Sequence, residues 1–530
     1  MTVEDGKIAS FSASHAREVI DAEGCYVSAG FIDSHLHVEG LHLLPGRYFK
    51  AFLAHGTTTI VTDLHETANA GGMEGLAWYL SLAERLPLDL FVMAPSCVPS
   101  CPYEAGAGVI GVAELKRLKG MKGVIGLGEV MDVPAVIGRS KAIMKKIALF
   151  AGKPVDGHAP GLSGGDLDRY MSAGIYSDHE VTGAAEGEEK LKAGMHLFLR
   201  EGSVSRDLGN LAGLIRPENL ASLSLCTDDV SARDLFESGH LDRLVGLLVS
   251  LNVPIFRALR LVSASPAAYF GLVDRGRLAV GRRADLVVFD RPERMHVLAT
   301  IKDGRVVYRE GDDIAATGDV PADGRASSKL NLAPFPRDAF RKKAGAGKVR
   351  AIGVTEGSII TEDLVVEVPA EDGRLVCDHA RDLVFAYVFD RYRAEREYGF
   401  CLVHGFGLKG GAIGTTYAHD SHNLVIVGDN ADDIRKVFSL LRTSGGGMAA
   451  SHKGAALVLP MPYFGIISDL DAPSLLARER ALDRLARQMG IRMKNPFFQM
   501  SFLSLPVIPN LRLTTKGLFH IGTGRYVGDA

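Results

Sequence analysis

The sequence predicts an α/β protein in three parts. These are a (β/α)8 barrel of the TIM type, a small β-sandwich formed from segments that flank the barrel, and an additional C-terminal α/β (α+β) domain. Eight strand-like stretches alternate with helical ones over roughly 250 residues, as such a barrel requires. The chain has 530 residues, more than one ordinary hydrophobic core holds, so two or three domains are expected.

The predicted barrel strands are short and mostly apolar, and helical stretches separate most of them. The strands cover residues 31–37, 57–63, 88–94, 124–130, 153–158, 174–179, 196–200 and 223–228. The clearest helical stretches cover residues 73–85, 134–151, 165–173 and 184–193. An open doubly wound sheet is the alternative, but the first strand lacks the Gly-x-Gly-x-x-Gly turn of a dinucleotide site.

The flanking regions suggest the domain limits, with the barrel at residues 27–274. Short strand patterns stand on both sides of it, at residues 7–11, 18–21, 284–290 and 305–308. Because two-stranded units are marginal alone, residues 1–26 and 275–310 are expected to pair into the small β-sandwich.

Beyond the sandwich, the polar residues 311–328 are typical of a linker. Residues 329–530 would form the C-terminal domain, with a strand at 422–427 and a helix at 430–442.

Composition narrows the class of protein. The formal net charge of −3 gives no electrostatic reason to expect nucleic acid or an anionic membrane as a partner. The first residues lack the pattern of a secretory signal, and the longest apolar stretch, 244–256, is too short to cross a bilayer. The six cysteines indicate neither a disulfide framework nor a complete zinc site, so a cytoplasmic protein with reduced thiols is expected.

Metal-ligand types of side chain recur at the carboxyl ends of the predicted strands, where barrels carry their catalytic groups. The first strand ends in His35 and His37, which share a face because side chains alternate along a strand. The later strand ends supply Asp63, His65, Glu66, Glu129, His158, His179, Glu180, Asp228 and Asp229. One such residue has a plain structural explanation, but so many at the ends of one barrel predict a metal site.

The cluster predicts metal-assisted hydrolysis of a C–N bond or a similar electrophilic centre. Metal binding lowers the pKa of water from 15.7 towards about 7, so a metal-activated hydroxide forms at neutral pH. Asp228 can take the proton of that water and pass it to a leaving group, and Glu129 is expected to bridge two ions. Asp229 is expected to turn away from the barrel axis and cap the next helix. The acid that protonates the substrate has three candidates: Glu66, His65 and Glu180.

Short motifs extend the pattern along nearly the whole chain. They lie at residues 30–39, 55–59, 63–66, 96–99, 128–131, 156–161, 178–180, 200–203, 226–229, 418–423 and 502–509. Together they resemble the amidohydrolase superfamily and, within it, the adenine deaminases. The last two motifs are the specific part, because His-x-His barrels occur across many amidohydrolases.

The resemblance implies hydrolytic deamination of adenine to hypoxanthine and ammonia, a step of adenine catabolism or purine salvage. It implies a binuclear Mn²⁺ or Fe²⁺ centre in which Glu129 stands where many relatives carry a carbamylated lysine. The metal ligands would be His35, His37, Glu129, His158, His179 and Asp228. The catalytic groups would be Asp228, Glu66, His65 and Glu129. The substrate contacts would be Glu39, Asp63, Glu180, His419, Asp420 and His422. The expected partners are a purine and water, with no nucleic acid and no membrane, and a homo-oligomer such as a dimer is expected.

Three positions depart from the family pattern near the expected substrate. Gly40 stands where the family has a serine, Asp207 where it has an asparagine and Val230 where it has an arginine. These departures keep open the deamination of another aminated heterocycle. A non-catalytic assembly protein is disfavoured, because every predicted ligand is present. The chain also starts after the family's opening strands, so the small β-sandwich is expected to be N-terminally incomplete.

Overall fold

The computed structural model describes residues 1–12, 18–101, 103–104, 106–315, 330–336, 339–340, 342, 347–367 and 369–527. The chain begins with a hairpin of β1 (Thr2–Glu4) and β2 (Lys7–Ser10), followed by β3 (Tyr26–Ala29). The strand predicted at residues 18–21 is wrong. Val19 and Ile20 there are 80% and 38% exposed, so this stretch buries no apolar face and β3 joins the sheet instead.

Eight parallel strands form the barrel, in the order in which they follow along the chain. They are β4 (Phe31–Leu36), β5 (Thr57–Thr62), β6 (Asp89–Pro95), β7 (Val124–Val130), β8 (Val155–Gly157), β9 (Ser177–Asp178), β10 (His196–Arg200) and β11 (Leu223–Cys226). Between β8 and β9, the Gly157 N–H donates to Ser177 Oγ at 3.3 Å. The ring closes where the His37 N–H donates to the Asp228 carbonyl and the Asp228 N–H to the His35 carbonyl, both at 2.9 Å. The predicted (β/α)8 barrel is confirmed.

Helices connect the barrel strands and cover them from outside. They are α1 (Pro45–Ala54), α2 (His65–Ala83), α3 (Val112–Lys119), α4 (Val133–Ile137), α5 (Lys141–Leu149), α6 (Gly164–Met171), α7 (Ala184–Lys192), α8 (Leu208–Leu211), α9 (Ala232–Glu237), α10 (Leu241–Ser250), α11 (Ile255–Leu261) and α12 (Ala264–Tyr269). The helix predicted at 134–151 is two helices, because Arg139 between α4 and α5 has φ +54°. Among the helices of the described residues, none combines the length and apolarity that crossing a bilayer requires.

The segment after the barrel returns to the N-terminal strands. β12 (Leu286–Asp290), β13 (His296–Lys302) and β14 (Arg305–Arg309) form an antiparallel sheet in the order β14-β13-β12-β3. Ile8 of the hairpin packs with Leu286, Val288 and Ile301 in a small core of their own. The two flanking segments therefore meet in one small β unit, as the sequence predicts.

The C-terminal domain is built on an eight-stranded sheet in the order β16-β15-β20-β19-β22-β21-β23-β24. Its strands are β15 (Lys348–Gly353), β16 (Glu362–Glu367), β17 (Ala370–Glu371), β18 (Arg374–Leu375), β19 (Leu383–Phe389), β20 (Tyr398–His404), β21 (Gly411–Thr415), β22 (Leu424–Gly428), β23 (Gly447–His452), β24 (Ala455–Pro460), β25 (Leu511–Thr514), β26 (Gly517–His520) and β27 (Arg525–Tyr526). Its helices are α13 (Ala431–Ser444), α14 (Ala472–Gln488) and α15 (Pro496–Ser501). α13 begins as the sequence indicates, because Asn430 Oδ1 accepts from the Asp433 N–H at 2.9 Å.

The C-terminal domain packs on the loop side of the barrel. Trp78 on α2 stacks on Tyr463 with ring centroids 5.3 Å apart, and His42 Nδ1 lies 3.1 Å from the Ile466 carbonyl oxygen. This packing brings residues 416–423, between β21 and β22, against the ends of the barrel strands. The predicted linker at 311–328 lies outside the described residues from 316 onward, and the domain limits stay predictions.

Candidate active site

A pocket opens at the carboxyl ends of the barrel strands and is closed on one side by the C-terminal domain. Ten predicted site residues line it: His37, His65, Glu66, Glu129, His158, His179, Glu180, Asp228, His419 and Asp420. The C-terminal domain adds an apolar wall of Ile359, Phe502, Leu505, Val507 and Ile508. The pocket therefore has a polar floor from the barrel, and its cover from the second domain is apolar apart from His419 and Asp420.

Two histidines and one aspartate meet where the barrel closes. Oδ1 of Asp228 lies 3.5 Å from His35 Nε2 and 3.1 Å from His37 Nε2. Asp228 has φ +58°, and its two backbone hydrogen bonds to the end of β4 hold it in that left-handed conformation. Burial by itself would raise the pKa of Asp228, but His35 and His37 hold it well below its ordinary value.

Glu129, at the end of β7, lies at the centre of the cluster. Its Oε2 lies 2.9 Å from His158 Nδ1 and 3.2 Å from His179 Nε2. Its Oε1 lies 3.6 Å from His37 Nε2 and 3.2 Å from His65 Nδ1. Burial by itself would raise the pKa of Glu129, but hydrogen bonds from the histidines hold this pKa well below its ordinary value. One carboxylate thus faces histidines on both sides.

These side chains fit divalent metal ions. His35, His37 and Asp228 bring ligand atoms within 4.8 Å of one another, and so do His35, Glu129 and His179. Within the described part of the chain, the buried His35 Nε2 has no hydrogen-bond partner, although it faces Asp228. Imidazole and carboxylate together are ligands that suit iron, zinc and manganese.

Three predicted substrate contacts, Glu39, Asp63 and His422, lie behind the pocket wall and not on it. Asp63 lies 3.1 Å from His37 Nδ1 through Oδ1 and 2.8 Å from His65 Nδ1 through Oδ2, so it orients both rings. Oε1 of Glu39 accepts a backbone N–H near the start of α2 at 3.0 Å. The substrate role of these three residues stays a prediction: both oxygens of Asp63 and Oε1 of Glu39 contact protein groups, while the buried Oε2 of Glu39 has no hydrogen-bond partner among the described residues.

Glu66 is held between two histidines of the C-terminal domain. Its Oε1 contacts His419 Nδ1 and its Oε2 contacts His422 Nε2, and all three side chains are buried. Although burial by itself raises it, the two histidines hold the pKa of Glu66 well below its ordinary value. Glu66 raises the pKa of His419 to about 9 against the effect of burial, whereas burial lowers the pKa of His422 to about 4. At neutral pH the cluster therefore holds a carboxylate, a charged His419 and a neutral His422.

Arg200 also lines the pocket, although arginine is not a metal-ligand type of side chain and is not among the predicted site residues. It ends β10, so the same strand-end rule points to it. Its Nη1 donates to Asp228 Oδ2 at 3.1 Å and contacts Glu180, while its Nη2 donates to Asp207 Oδ2 at 3.3 Å. A guanidinium group thus lies among three carboxylates at the edge of the site.

The prediction that Asp229 turns away from the barrel and caps the next helix is wrong. Asp229 lines the pocket beside Asp228, and its Oδ1 is buried. The cap of α9 is Ser231, whose Oγ accepts from the Asp234 N–H at 3.1 Å. The alternation of strand side chains does not reach Asp229, because β11 ends at Cys226 and Asp228 is left-handed. Burial, followed by the charge of Asp228, raises the pKa of Asp229 to about 6.

The three departures from the expected pattern adjoin the pocket without lining it. A Cβ atom at Gly40 would lie 3.4 Å from the Val230 carbonyl oxygen and 3.8 Å from Asp229 Oδ1. Asp207 lies behind Arg200. These positions therefore adjoin Asp229 and Arg200, two residues that line the pocket.

Comparisons with known proteins agree with this geometry. The model described as "Amidohydrolase family" matches residues 26–307, and that described as "Adenine deaminase C-terminal domain" matches residues 358–525. A protein named adenine deaminase from Methanoculleus marisnigri is 41% identical over 521 residues, which cover 98% of this chain and 97% of that protein. The adenine deaminase of a Methylobacterium species is 41% identical over 519 residues, covering 98% and 91%. That of Methanoregula boonei is 39% identical over 521 residues, covering 98% and 90%.

The fold, the site and the match over more than half of its length make the chain a member of the amidohydrolase family, which implies a divalent metal. The similarity extends through the C-terminal domain to nearly the whole chain. Within that family, the chain belongs to the adenine deaminases.

Proposed function

We propose that the protein hydrolyses adenine to hypoxanthine and ammonia at a binuclear Mn²⁺ or Fe²⁺ centre. The observation that carries the proposal is the 41% identity with a named adenine deaminase over 98% of the chain. The geometry supports it, because both domains contribute side chains to one buried pocket.

The metal ligands in this proposal are the six that the sequence predicts. One ion would be held by His35, His37 and Asp228, and the other by His158 and His179. Glu129 would serve both ions, since its two oxygens face histidines on opposite sides. Bound divalent ions lower the pKa of water towards about 7, which makes hydroxide available at neutral pH.

The reaction adds water to C6 of adenine, protonates a ring nitrogen and expels the exocyclic amine as ammonia. Asp228 takes a proton from the attacking water and delivers it to the leaving amine. Its low pKa keeps the side chain ionised at neutral pH, so that it has a vacant site for a proton, although a low pKa also makes it a weak base. The apolar wall that includes Phe502 and Val507 excludes further water from the reacting carbon.

Protonation of the ring is assigned to Glu66 and its neighbour His65, whose Oε1 and Nε2 atoms lie 3.6 Å apart. Because Glu66 is ionised at neutral pH, the proton has to reach this pair from His419. His419 supports this role, because it is charged at neutral pH and contacts Glu66 Oε1. The buried His419 Nε2 has no hydrogen-bond partner among the described residues and belongs to a side chain on the pocket wall. His419 therefore both supplies a proton to Glu66 and offers a donor to the purine, with Asp420 next to it as an acceptor.

A second candidate is the deamination of another aminated heterocycle. It is favoured by Gly40 and Val230, which lie directly behind the pocket residue Asp229 and differ from the family pattern. The homo-oligomeric state stays a prediction.

A screen of aminopurines and aminopyrimidines with manganese-loaded protein tests both candidates. We expect adenine to give hypoxanthine and ammonia in equal amounts, measured by ultraviolet absorbance and by an ammonia assay. Chelation should abolish turnover, and Mn²⁺ or Fe²⁺ should restore it. Turnover of a different heterocycle without turnover of adenine would favour the second candidate, and full activity in metal-free protein would contradict both.

A further inference from the structure

Arg200 lies in the pocket beside Asp228 and has no role in the reaction proposed above. Its side chain is 4% exposed, and all of its hydrogen bonds within the described residues go to carboxylates. Nη1 donates a hydrogen bond to Asp228 Oδ2 at 3.1 Å and contacts Glu180 Oε1. On the opposite edge, Nε and Nη2 donate to Asp207 Oδ2 at 3.4 and 3.3 Å. The planar guanidinium is therefore fixed from both edges.

The two oxygens of Asp228 face different partners. Oδ1 faces the Nε2 atoms of His35 and His37, whereas Oδ2 faces Arg200. Without the guanidinium, the carboxylate could turn about the bond between Cβ and Cγ until neither oxygen points at these partners. Displacement of the proton carrier would slow the reaction, because a misplacement of about 1 Å can lower a rate about 100-fold.

We propose that Arg200 is a positioning residue that sets the rotation of the Asp228 carboxylate, and that Asp207 anchors Arg200 in turn. The proposal rests on the proposed function, in which Asp228 carries the proton. Glu180 is held by the same guanidinium, so one cation orders two acidic side chains on the pocket wall.

The first experiment compares steady-state kinetics of manganese-loaded wild type with Arg200→Ala and Arg200→Lys. We expect Arg200→Ala to lower kcat about 100-fold with little change in KM. Arg200→Lys keeps the charge but lacks the planar fork, so it should fall between the two. Because Arg200→Ala leaves buried carboxylates unpaired, circular dichroism and metal analysis must show that each variant is folded and loaded. A large rise in KM with unchanged kcat would mean that Arg200 binds the substrate directly and would overturn the proposal.

Chemical rescue separates positioning from a merely structural role. Guanidinium ion at a low, non-denaturing concentration should restore part of the kcat of Arg200→Ala, and neutral urea should not. Asp207→Asn keeps an oxygen acceptor for Arg200, so it should lower kcat less than Asp207→Ala does. Equal effects of these two Asp207 variants would contradict the anchoring role.

A double-mutant cycle tests whether Arg200 acts through Asp228. Arg200→Ala combined with Asp228→Asn should be no slower than Asp228→Asn alone, whereas multiplied effects would overturn the proposal. Crystal structures of wild type and Arg200→Ala give a readout that needs no activity. An Asp228 carboxylate that keeps its orientation in the variant would refute the inference, whether or not adenine is the substrate. Absence of adenine turnover in the wild type would count only against the proposed function.

Discussion

Glu479 on α14 should make the stability of the protein depend on pH. Its side chain is 15% exposed and lies 3.6 Å from Arg233 on barrel helix α9, while Arg233 makes its shorter contact, 2.9 Å, with Asp483. Burial, opposed by Arg233 and reinforced by Asp483, raises the pKa of Glu479 from 4.5 to about 7.

The sign of the effect follows from proton binding. Between pH 4.5 and about 7, the folded state holds a proton on Glu479 that the unfolded state has released. The contribution of this group to stability is therefore fully present below pH 4.5 and is lost as the pH rises through about 7. At about 1.4 kcal/mol per pH unit, the gap between the two pKa values corresponds to about 3 kcal/mol.

Replacing Glu479 with glutamine removes the titrating group and keeps the shape. Urea unfolding of Glu479→Gln should show about 2.5 kcal/mol less loss of stability between pH 5 and pH 8 than the wild type. Fluorescence of Trp78, the single tryptophan, suits the assay because its ring stacks on Tyr463 of the C-terminal domain. The exposed Glu397→Gln is the matched control and should behave as the wild type does. An equal loss of stability in Glu479→Gln and wild type would refute the reasoning.

Two further predictions concern the pocket. Glu129→Gln should bind less metal and have a lower kcat, because a neutral amide replaces the carboxylate that faces histidines on both sides. Metal analysis after dialysis and steady-state kinetics measure the two effects. Unchanged metal content and rate would make Glu129 a structural carboxylate. Asp228→Asn should lower kcat by about 10²–10⁴-fold while keeping substrate binding, with the exposed Asp166→Asn as control. Since Asp229 also lines the pocket, Asp229→Asn should lower activity as well. Wild-type kinetics in Asp228→Asn would exclude Asp228 as the proton carrier.

The sequence predicts the barrel and its central cluster because both follow from local rules. Alternating strands and helices predict a parallel sheet, and when eight such strands close into a barrel their carboxyl ends meet at one place. His35, Glu129 and His179 come together there for that reason. No knowledge of side-chain packing is needed for this step.

Other features depend on packing that the sequence does not display. Asp63 and Glu66 are both acidic residues after one strand, yet Asp63 lies behind the histidines and Glu66 on the pocket wall. Glu66 contacts His419 and His422 of the C-terminal domain, whereas Asp63 contacts His37 and His65 of the barrel. Asp229 was misplaced because strand alternation ends at the left-handed Asp228.

The contact between Glu66 and His419 also has a consequence for biosynthesis. The two residues are 353 positions apart, so at about 5–20 residues per second a ribosome adds His419 roughly 20–70 s after Glu66. During that interval a nascent barrel exposes Glu66 to water, and Glu66 lacks the two C-terminal imidazoles that contact it in the finished protein. The carboxylate that is 0% exposed in the finished protein is thus solvated until translation is nearly complete. A ribosome-bound chain that stops before residue 416 would carry the predicted metal ligands and remain inert.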